Sequence, residues 1–311
     1  MEDIFRLFPE AASTIAGRVD GLFGFLTGVS TFFATLIFVL LLVFAIKYRR
    51  RSEDEEPPQI ARRDWLEATW IIIPLGLVMV MFVWGAKLYF NMMNPPDGAL
   101  EIYAVGQQWM WKFQHPEGQR EINELHVPVG HAVKMTMTSQ DVIHSFFVPA
   151  FRVKMDVVPG RFTHLWFEAT KPGVYHLFCT EYCGTLHSGM RGRVIALSPT
   201  RYEEWLRENI RGESMASAGE RLFEQMGCLM CHRADGSAPS LAGLFGTTVQ
   251  LQSGDTVTAD ESYLRESILN PRAKVVAGYP PIMPTFQGQL DAEELTQLIS
   301  YIKTLGQEGG S

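Results

Sequence analysis

Residues 179–190 hold two thiols, an imidazole and a thioether: Cys179, Cys183, His187 and Met190. Thiolate with imidazole and a weak axial thioether is the donor set of copper electron-transfer sites. Two cysteines are one too many for a mononuclear blue site. They suit a binuclear centre in which both sulfurs bridge two coppers, each copper then needing one imidazole and one weak axial ligand. His187 supplies one imidazole, and the second must come from outside this stretch. A Cys179–Cys183 disulfide would leave the ligand spacing unexplained, and a zinc site would leave Met190 without a role.

The other two of the four cysteines, Cys228 and Cys231, precede His232 in the pattern C-x-x-C-H, by which a c-type haem is attached. Thiols about one helical turn apart reach the two vinyl groups of one porphyrin edge, and the adjacent His presents its ring to the iron. An electron carrier needs a sixth ligand, for which a thioether is the soft choice that raises the reduction potential. Met283, in the Pro-rich run Tyr279-Pro280-Pro281-Ile282-Met283-Pro284, is the best candidate. Met226 and Met230 sit too close to the attachment site.

The elements around the two sites differ in texture. From Leu100 to about Leu197 the pattern is one of short strands: Val133, Met135 and Met137 alternate with Lys134, Thr136 and Thr138. Further strand-like runs cover 100–105, 162–168, 174–178 and 193–197, separated by turn signals such as Pro159-Gly160 and Pro172-Gly173. Many short strands with Gly/Pro turns predict a β-sandwich or barrel. Beyond it, 202–211 is helix-compatible, 212–218 reads as a linker, and 219–227 predicts a helix running into Cys228. Asp291 with Glu294 opens a final helix, whose Leu295, Leu298, Ile299 and Ile302 mark one buried face.

At the other end, 21–46 and 68–86 contain no Asp, Glu, Lys or Arg. Each run is long enough to cross a hydrocarbon core of roughly 30 Å. Lys47, Arg49, Arg50, Arg51, Arg62 and Arg63 crowd the connection between them, against Arg6 and Arg18 before the first. That asymmetry predicts a cytoplasmic loop with both termini outside, the first span serving as an uncleaved signal. A net charge of −7 argues against nucleic acid as a partner.

The segment from about Gly219 to Leu305 resembles a small class I-like cytochrome c domain, in its first helix, C-x-x-C-H, Met-Pro loop and closing helix. The resemblance implies an all-α fold and a hydrogen bond from the proximal His232 to the carbonyl of Pro239. Upstream, Asp141-Val142-Ile143-His144-Ser145-Phe146 sets His144 thirty-five residues before Cys179. With it, residues 20–200 resemble subunit II of haem–copper cytochrome c oxidases, and the whole chain resembles the subunit II–cytochrome c fusion of caa-type oxidases. That resemblance implies a cupredoxin-like domain holding a binuclear CuA centre. His144 and His187 would be its imidazoles, Cys179 and Cys183 its bridges, Met190 and the carbonyl of Glu181 its axial ligands. It also implies that Trp109, in Gln108-Trp109-Met110-Trp111, admits electrons. Asp156 and the Glu181 side chain would lie near a Mg or Mn ion shared with subunit I, and Glu67 near a proton-uptake entrance. Phe146 and Arg152 depart from the family's common residues, and neither is a ligand.

These readings together predict a membrane-anchored multidomain chain. Its parts are a tail and transmembrane helical hairpin over 1–93 (spans about 21–46 and 68–90), a copper domain over 94–200, a linker over 201–218 and a cytochrome domain over 219–311. The resemblance implies an electron-transfer subunit of a respiratory oxidase in a bacterial cytoplasmic membrane, with both soluble domains on the outer side. No catalytic residue is expected here, because oxygen chemistry would reside in subunit I. The partners implied are subunit I and other oxidase subunits, with an upstream c-type cytochrome or quinol-oxidising complex as donor. A copper chaperone or assembly factor would need exchangeable metal and no covalent haem. A quinol-oxidase-type subunit II would lack the copper ligands, which here are all present.

Overall fold

Unbroken apolar composition sets the two longest elements, α1 (Ala16–Lys47) and α2 (Asp64–Met93). Both are long and apolar enough to cross a membrane, and each extends the charge-free run of the sequence by several residues. Their apolar side chains point outward, as with Phe38 and Ile72, the opposite of a soluble core helix. Arg18 Nη1 donates to Asn91 Oδ1 (2.9 Å), and Phe25 packs on Trp84, tying the start of α1 to the end of α2. Asp64 and Glu67 occupy the first turn of α2 and Lys47 the last turn of α1, each favourable to its helix dipole.

The computed structural model describes residues 8–52, 63–209, 213–233 and 238–305. It divides into the helical hairpin, Ile15–Asn94, and a second unit that joins the N-terminal segment to everything from Pro95 onward. In the second unit the segment before α1 hydrogen-bonds into the β-domain, through Ala12 N to Ala150 O and Ser13 Oγ to Phe151 O.

The β-domain is a sandwich of ten strands. They are β1 (Leu100–Gln107), β2 (Met110–Gln114), β3 (Arg120–Ile122), β4 (Glu124–Pro128), β5 (Ala132–Ser139), β6 (His144–Val148), β7 (Val153–Val157), β8 (Thr163–Glu168), β9 (Gly173–Cys179) and β10 (Arg191–Leu197). One sheet runs β3-β2-β1-β5-β8 and the other β4-β10-β9-β6-β7. Pairing is antiparallel except β1 with β5 and β10 with β4, which are parallel. The inward sides, including Ile102, Phe113, Leu125, Met135, Phe146, Phe167 and Leu177, make the core. Val133, Met135 and Met137 are fully buried as the alternation at 133–138 predicts, but Thr136 and Thr138 on the other face are buried too.

Part of the expected linker is structured. α3 (Pro199–Glu208) lies on the sandwich because its aromatic face meets two histidines. Trp205 stacks on His126 at 4.5 Å, and Tyr202 Oη reaches His115 Nδ1 at 3.1 Å. Glu121 ties both imidazoles together, so these histidines are structural.

α4 (Met215–Gln225) begins four residues before the predicted helix, capped by Ser214 Oγ on Ser217 N. The cytochrome segment adds a two-stranded hairpin to its expected helices, β11 (Thr248–Gln250) with β12 (Thr256–Thr258). α5 (Glu261–Leu269) follows, and α6 (Ala292–Thr304) closes the domain. The Asp291–Glu294 capping box is formed, and Leu295, Leu298, Ile299 and Ile302 are buried against α4 and α5 with Leu222, Phe223 and Leu264.

Candidate copper and haem centres

Three chain crossings meet at one end of the sandwich: the β1–β2 turn, the loop before β6, and the β9–β10 connection. The last carries Cys179, Cys183, His187 and Met190, and β6 begins with His144. Backbone bonds pin the loop, with Thr180 N on Ser145 O, Cys179 N on Met190 O, and Met190 N on His187 O. His144, Cys183 and Met190 are almost wholly buried, while His187 is half-exposed.

The donor atoms divide into two halves. The two sulfurs lie 3.8 Å apart, too far for a disulfide near 2.05 Å. Cys179 Sγ has His144 Nδ1 at 3.9 Å and the Glu181 carbonyl at 3.3 Å. Cys183 Sγ has His187 Nδ1 at 3.4 Å and Met190 Sδ at 3.8 Å. Each sulfur thus has one imidazole and one weak donor of its own. Among the described residues, His144, Cys179 and Cys183 form a group of His, Cys or acidic side chains close enough to share a cation.

Electrostatics points the same way. Burial opposes ionisation of Cys179, but His144 and the backbone at Ser145 win and hold its thiol down to about 6. Burial and then the Cys179 charge push Cys183 up to about 12. A second thiolate here requires cations between the sulfurs, so the donor set fits metal.

In the cytochrome segment a cavity of about 300 Å³ is lined by Cys228, Cys231, His232, Met283 and apolar side chains including Leu241, Tyr263, Leu298 and Ile302. The walls are mostly apolar, with both thiols among the lining groups. His232 Nδ1 lies 2.9 Å from Pro239 O, the hydrogen bond that fixes the imidazole's orientation and leaves Nε2 for iron. Haem c fits these residues.

The model for the cytochrome c oxidase subunit II periplasmic domain matches residues 119–197, and that for cytochrome c matches 216–306. Cytochrome c oxidase subunit 2 of Alkalihalophilus pseudofirmus is 30% identical over 286 residues, spanning 87% of this chain and 82% of that protein. The chain belongs to the cytochrome c oxidase subunit 2 family. The subunit 2 of Synechocystis is 31% identical over 260 residues, 68% of this chain and 78% of that protein. The crystal structure of the periplasmic domain of subunit II of cytochrome oxidase of Bradyrhizobium japonicum is 31% identical. It covers 37% of this chain and 96% of that one, with a TM-score of 0.36.

As a subunit 2 with a cytochrome c domain, the chain is a membrane-anchored electron-transfer subunit of a terminal oxidase. Its two soluble domains imply CuA and haem c, and its partners are the other oxidase subunits. A chaperone or a quinol-oxidase-type subunit does not account for both domains.

Residues beyond the expected donors shape the copper site. Asp141 Oδ1 accepts from His144 Nε2 at 2.8 Å, and Asp141 Oδ2 from Gln108 N at 2.7 Å, so one carboxylate aims the imidazole and holds the β1–β2 turn. A Cβ on Gly106 would lie 2.8 Å from His144 Cδ2, so glycine makes room for the ring. Gln108 Nε2 donates to Cys183 O at 2.7 Å, and Gly184, at φ +114°, lets Gln108 and Trp109 lie against the loop. The sequence signal available was Asp141 three residues before the expected ligand His144; nothing marked Gly106.

Trp109 packs beside Gly184, and its buried Nε1 has no hydrogen-bond partner among the described residues. Asp156 is exposed and engaged by Lys154 Nζ and Ser145 Oγ. Glu67 sits in the first turn of α2.

Proposed function

We propose that electrons enter at haem c, pass to the copper pair, and leave for subunit I. His144, Cys179, Cys183, His187, Met190 and the Glu181 carbonyl would hold the coppers; Cys228, Cys231, His232 and Met283 would hold the haem. When bound, these groups supply one-electron chemistry. The chain's residues do the rest. Asp141 and Pro239 fix two imidazoles. Burial of Cys183 and Met190 keeps water from the sulfurs. The observation that carries the reading is the split donor set, one imidazole and one weak donor per sulfur.

The donor on this reading is a c-type cytochrome or a quinol-oxidising complex, and Trp109, beside Gly184 of the copper loop, is the entry residue into the copper domain. A Mg or Mn ion at Asp156 and Glu181, shared with subunit I, would compete with Lys154 for Asp156. Glu67 would serve proton uptake. The domain limits proposed are those of the sequence reading, except that α4 carries the start of the cytochrome domain back to Met215.

For topology, we infer soluble domains on the outer side of a bacterial cytoplasmic membrane. Lys47 closes α1 and Arg49, Arg50 and Arg51 follow it, and the segment before α1 bonds to the β-domain after α2, which supports both ends emerging on one side.

Metal analysis with a pyridine haemochrome assay on the full chain tests the assignment: two coppers and one haem c are expected. One copper, or zinc in place of copper, overturns it.

A further inference from the structure

The cytochrome domain is not merely tethered to the copper domain; it has a seat on it. Four charged side chains form a closed ring between the two. Lys134 Nζ reaches Glu101 (2.9 Å) and Glu261 (3.1 Å), and Lys303 Nζ reaches Glu261 (3.0 Å) and Glu101. Glu101 and Lys134 belong to β1 and β5, Glu261 and Lys303 to α5 and α6. Each domain brings one carboxylate and one ammonium, so each half is neutral alone and joining them buries no net charge. All four side chains are at least three-quarters buried. Thr136 Oγ1 donates to Glu101, Tyr103 Oη lies against the ring, and burial followed by Lys134 keeps the facing His164 uncharged.

An apolar anchor stands beside the ring. Phe162, one residue before β8 in the copper domain, is 5% exposed because it belongs to the apolar cluster of the cytochrome domain, of which Leu264 and Ile268 are also members. The Arg265 guanidinium covers its ring at 5.6 Å. Arg120 and Glu293 pair at the exposed rim, and Met215 N donates to Pro116 O. One face of α6 (Leu298, Ile302) lines the haem cavity, while Glu293 and Lys303 on the same helix meet the sheet.

We propose that this ring, with Phe162, is an orienting seat that holds the haem domain in one pose on the outer face of β1-β5-β8. Its residues are positioning residues for transfer between the two centres. Buried ion pairs contribute little net stability compared with apolar packing, because desolvation offsets their attraction. What they add is geometry, since only this pose closes the ring and gives each carboxylate a second ammonium. Domains joined by a linker otherwise move relative to one another by default. The consequence for electron flow rests on the relay proposed above, but the seat itself is testable without it.

The test uses the full chain with haem and copper loaded. Spin labels at Val174→Cys and Ser253→Cys, exposed positions on the two domains, report their separation by pulsed dipolar spectroscopy. One narrow distance is expected. Lys134→Gln with Phe162→Ala lies wholly on the copper domain and leaves α6 intact. It should replace that distance by a broad distribution, with haem absorption retained and each domain still unfolding cooperatively. Lys134→Arg, which keeps the charge, should preserve the narrow distance. In the same samples, haem-to-copper transfer should pass from a single phase to several. A broad distance in the unmodified protein, or a narrow one in the double variant, overturns the seat. A narrow distance with no electron reaching copper leaves the seat standing and overturns the relay instead.

Discussion

Gly219 sits where α4 crosses α6, and a Cβ there would lie 2.1 Å from Gln297 O, 2.7 Å from Gln297 C and 2.8 Å from Tyr301 Cβ. The obstacle is mostly backbone, so no rotamer change relieves it. For Gly219→Ala, two effects oppose. Alanine in a helix interior is favoured over glycine by about 0.8–1.0 kcal/mol. Against this, an ordinary contact near 3.5 Å requires the crossing to open by about 1.4 Å. Overpacking a close-fitted contact costs about 1–3 kcal/mol, and backbone displacement falls at the upper end.

The net expectation is a loss of about 1–2 kcal/mol from the cytochrome domain. Opening the crossing also shifts Leu298 and Ile302, which line the haem cavity. Denaturant unfolding of the full holo chain, followed by haem absorbance, measures the loss, while the mixed-valence copper signal reports the other domain. The copper signal should keep its midpoint. A Gly219→Ala domain as stable as the parent, or more so, would show that helix propensity dominates and that the helices part freely.

Three further outcomes are expected. Met190→Leu should keep both coppers but shift the potential and spectrum, whereas Cys183→Ser should abolish the delocalised pair; native mixed-valence spectra in both would refute the donor set. A reporter fused at Pro57 should be active only in the cytoplasm and one at Ser311 only outside, the reverse pattern refuting the charge argument. The seat should be acid-sensitive: burial opposes ionisation of Glu101, yet Lys303 and Lys134 hold it at about 2, and Glu261 is lowered likewise. With folded values below the free carboxylate's, roughly 4.3, their stabilisation is present above that pH and is lost as pH falls, for Glu101 towards about 2. His164, kept neutral by burial, adds a shallower loss below about pH 6.5. The spin-label distance should therefore broaden on acidification and stay narrow from pH 7 to 8, and broadening in that upper range would refute the assignment.

Local chemistry was legible in the sequence wherever one segment carries its own meaning. Cys179 to Met190 spans twelve residues and Cys228 to His232 five, so spacing alone names the chemistry. The alternation at 133–138 and the i, i+3, i+4, i+7 set of the last helix are equally local, and both faces are buried as read. Gly106 was not legible, because its role depends on a His144 ring thirty-eight residues away. Residues 201–218 read as a linker because charge dominates them. What folds α3 onto the sandwich is the pairing of Tyr202 and Trp205 with His115 and His126, long-range contacts with no periodic signature.

The seat belongs to that second class, which explains why a tether was the natural reading of the connection. Lys134 occupies the outward position of an alternating strand, where a solvated charge is the ordinary expectation. Lys303 falls in the last turn of α6, where a cation favours the helix dipole without any partner. Glu261 opens α5, where an anion is favoured for the same reason. Each charge is locally satisfied by its own element, and only the fold shows that Glu261 and Lys303 face Glu101 and Lys134. A tether sets effective concentration but not orientation. Transfer between two buried centres depends on how their domains face each other, and in this chain that depends on residues outside both donor sets.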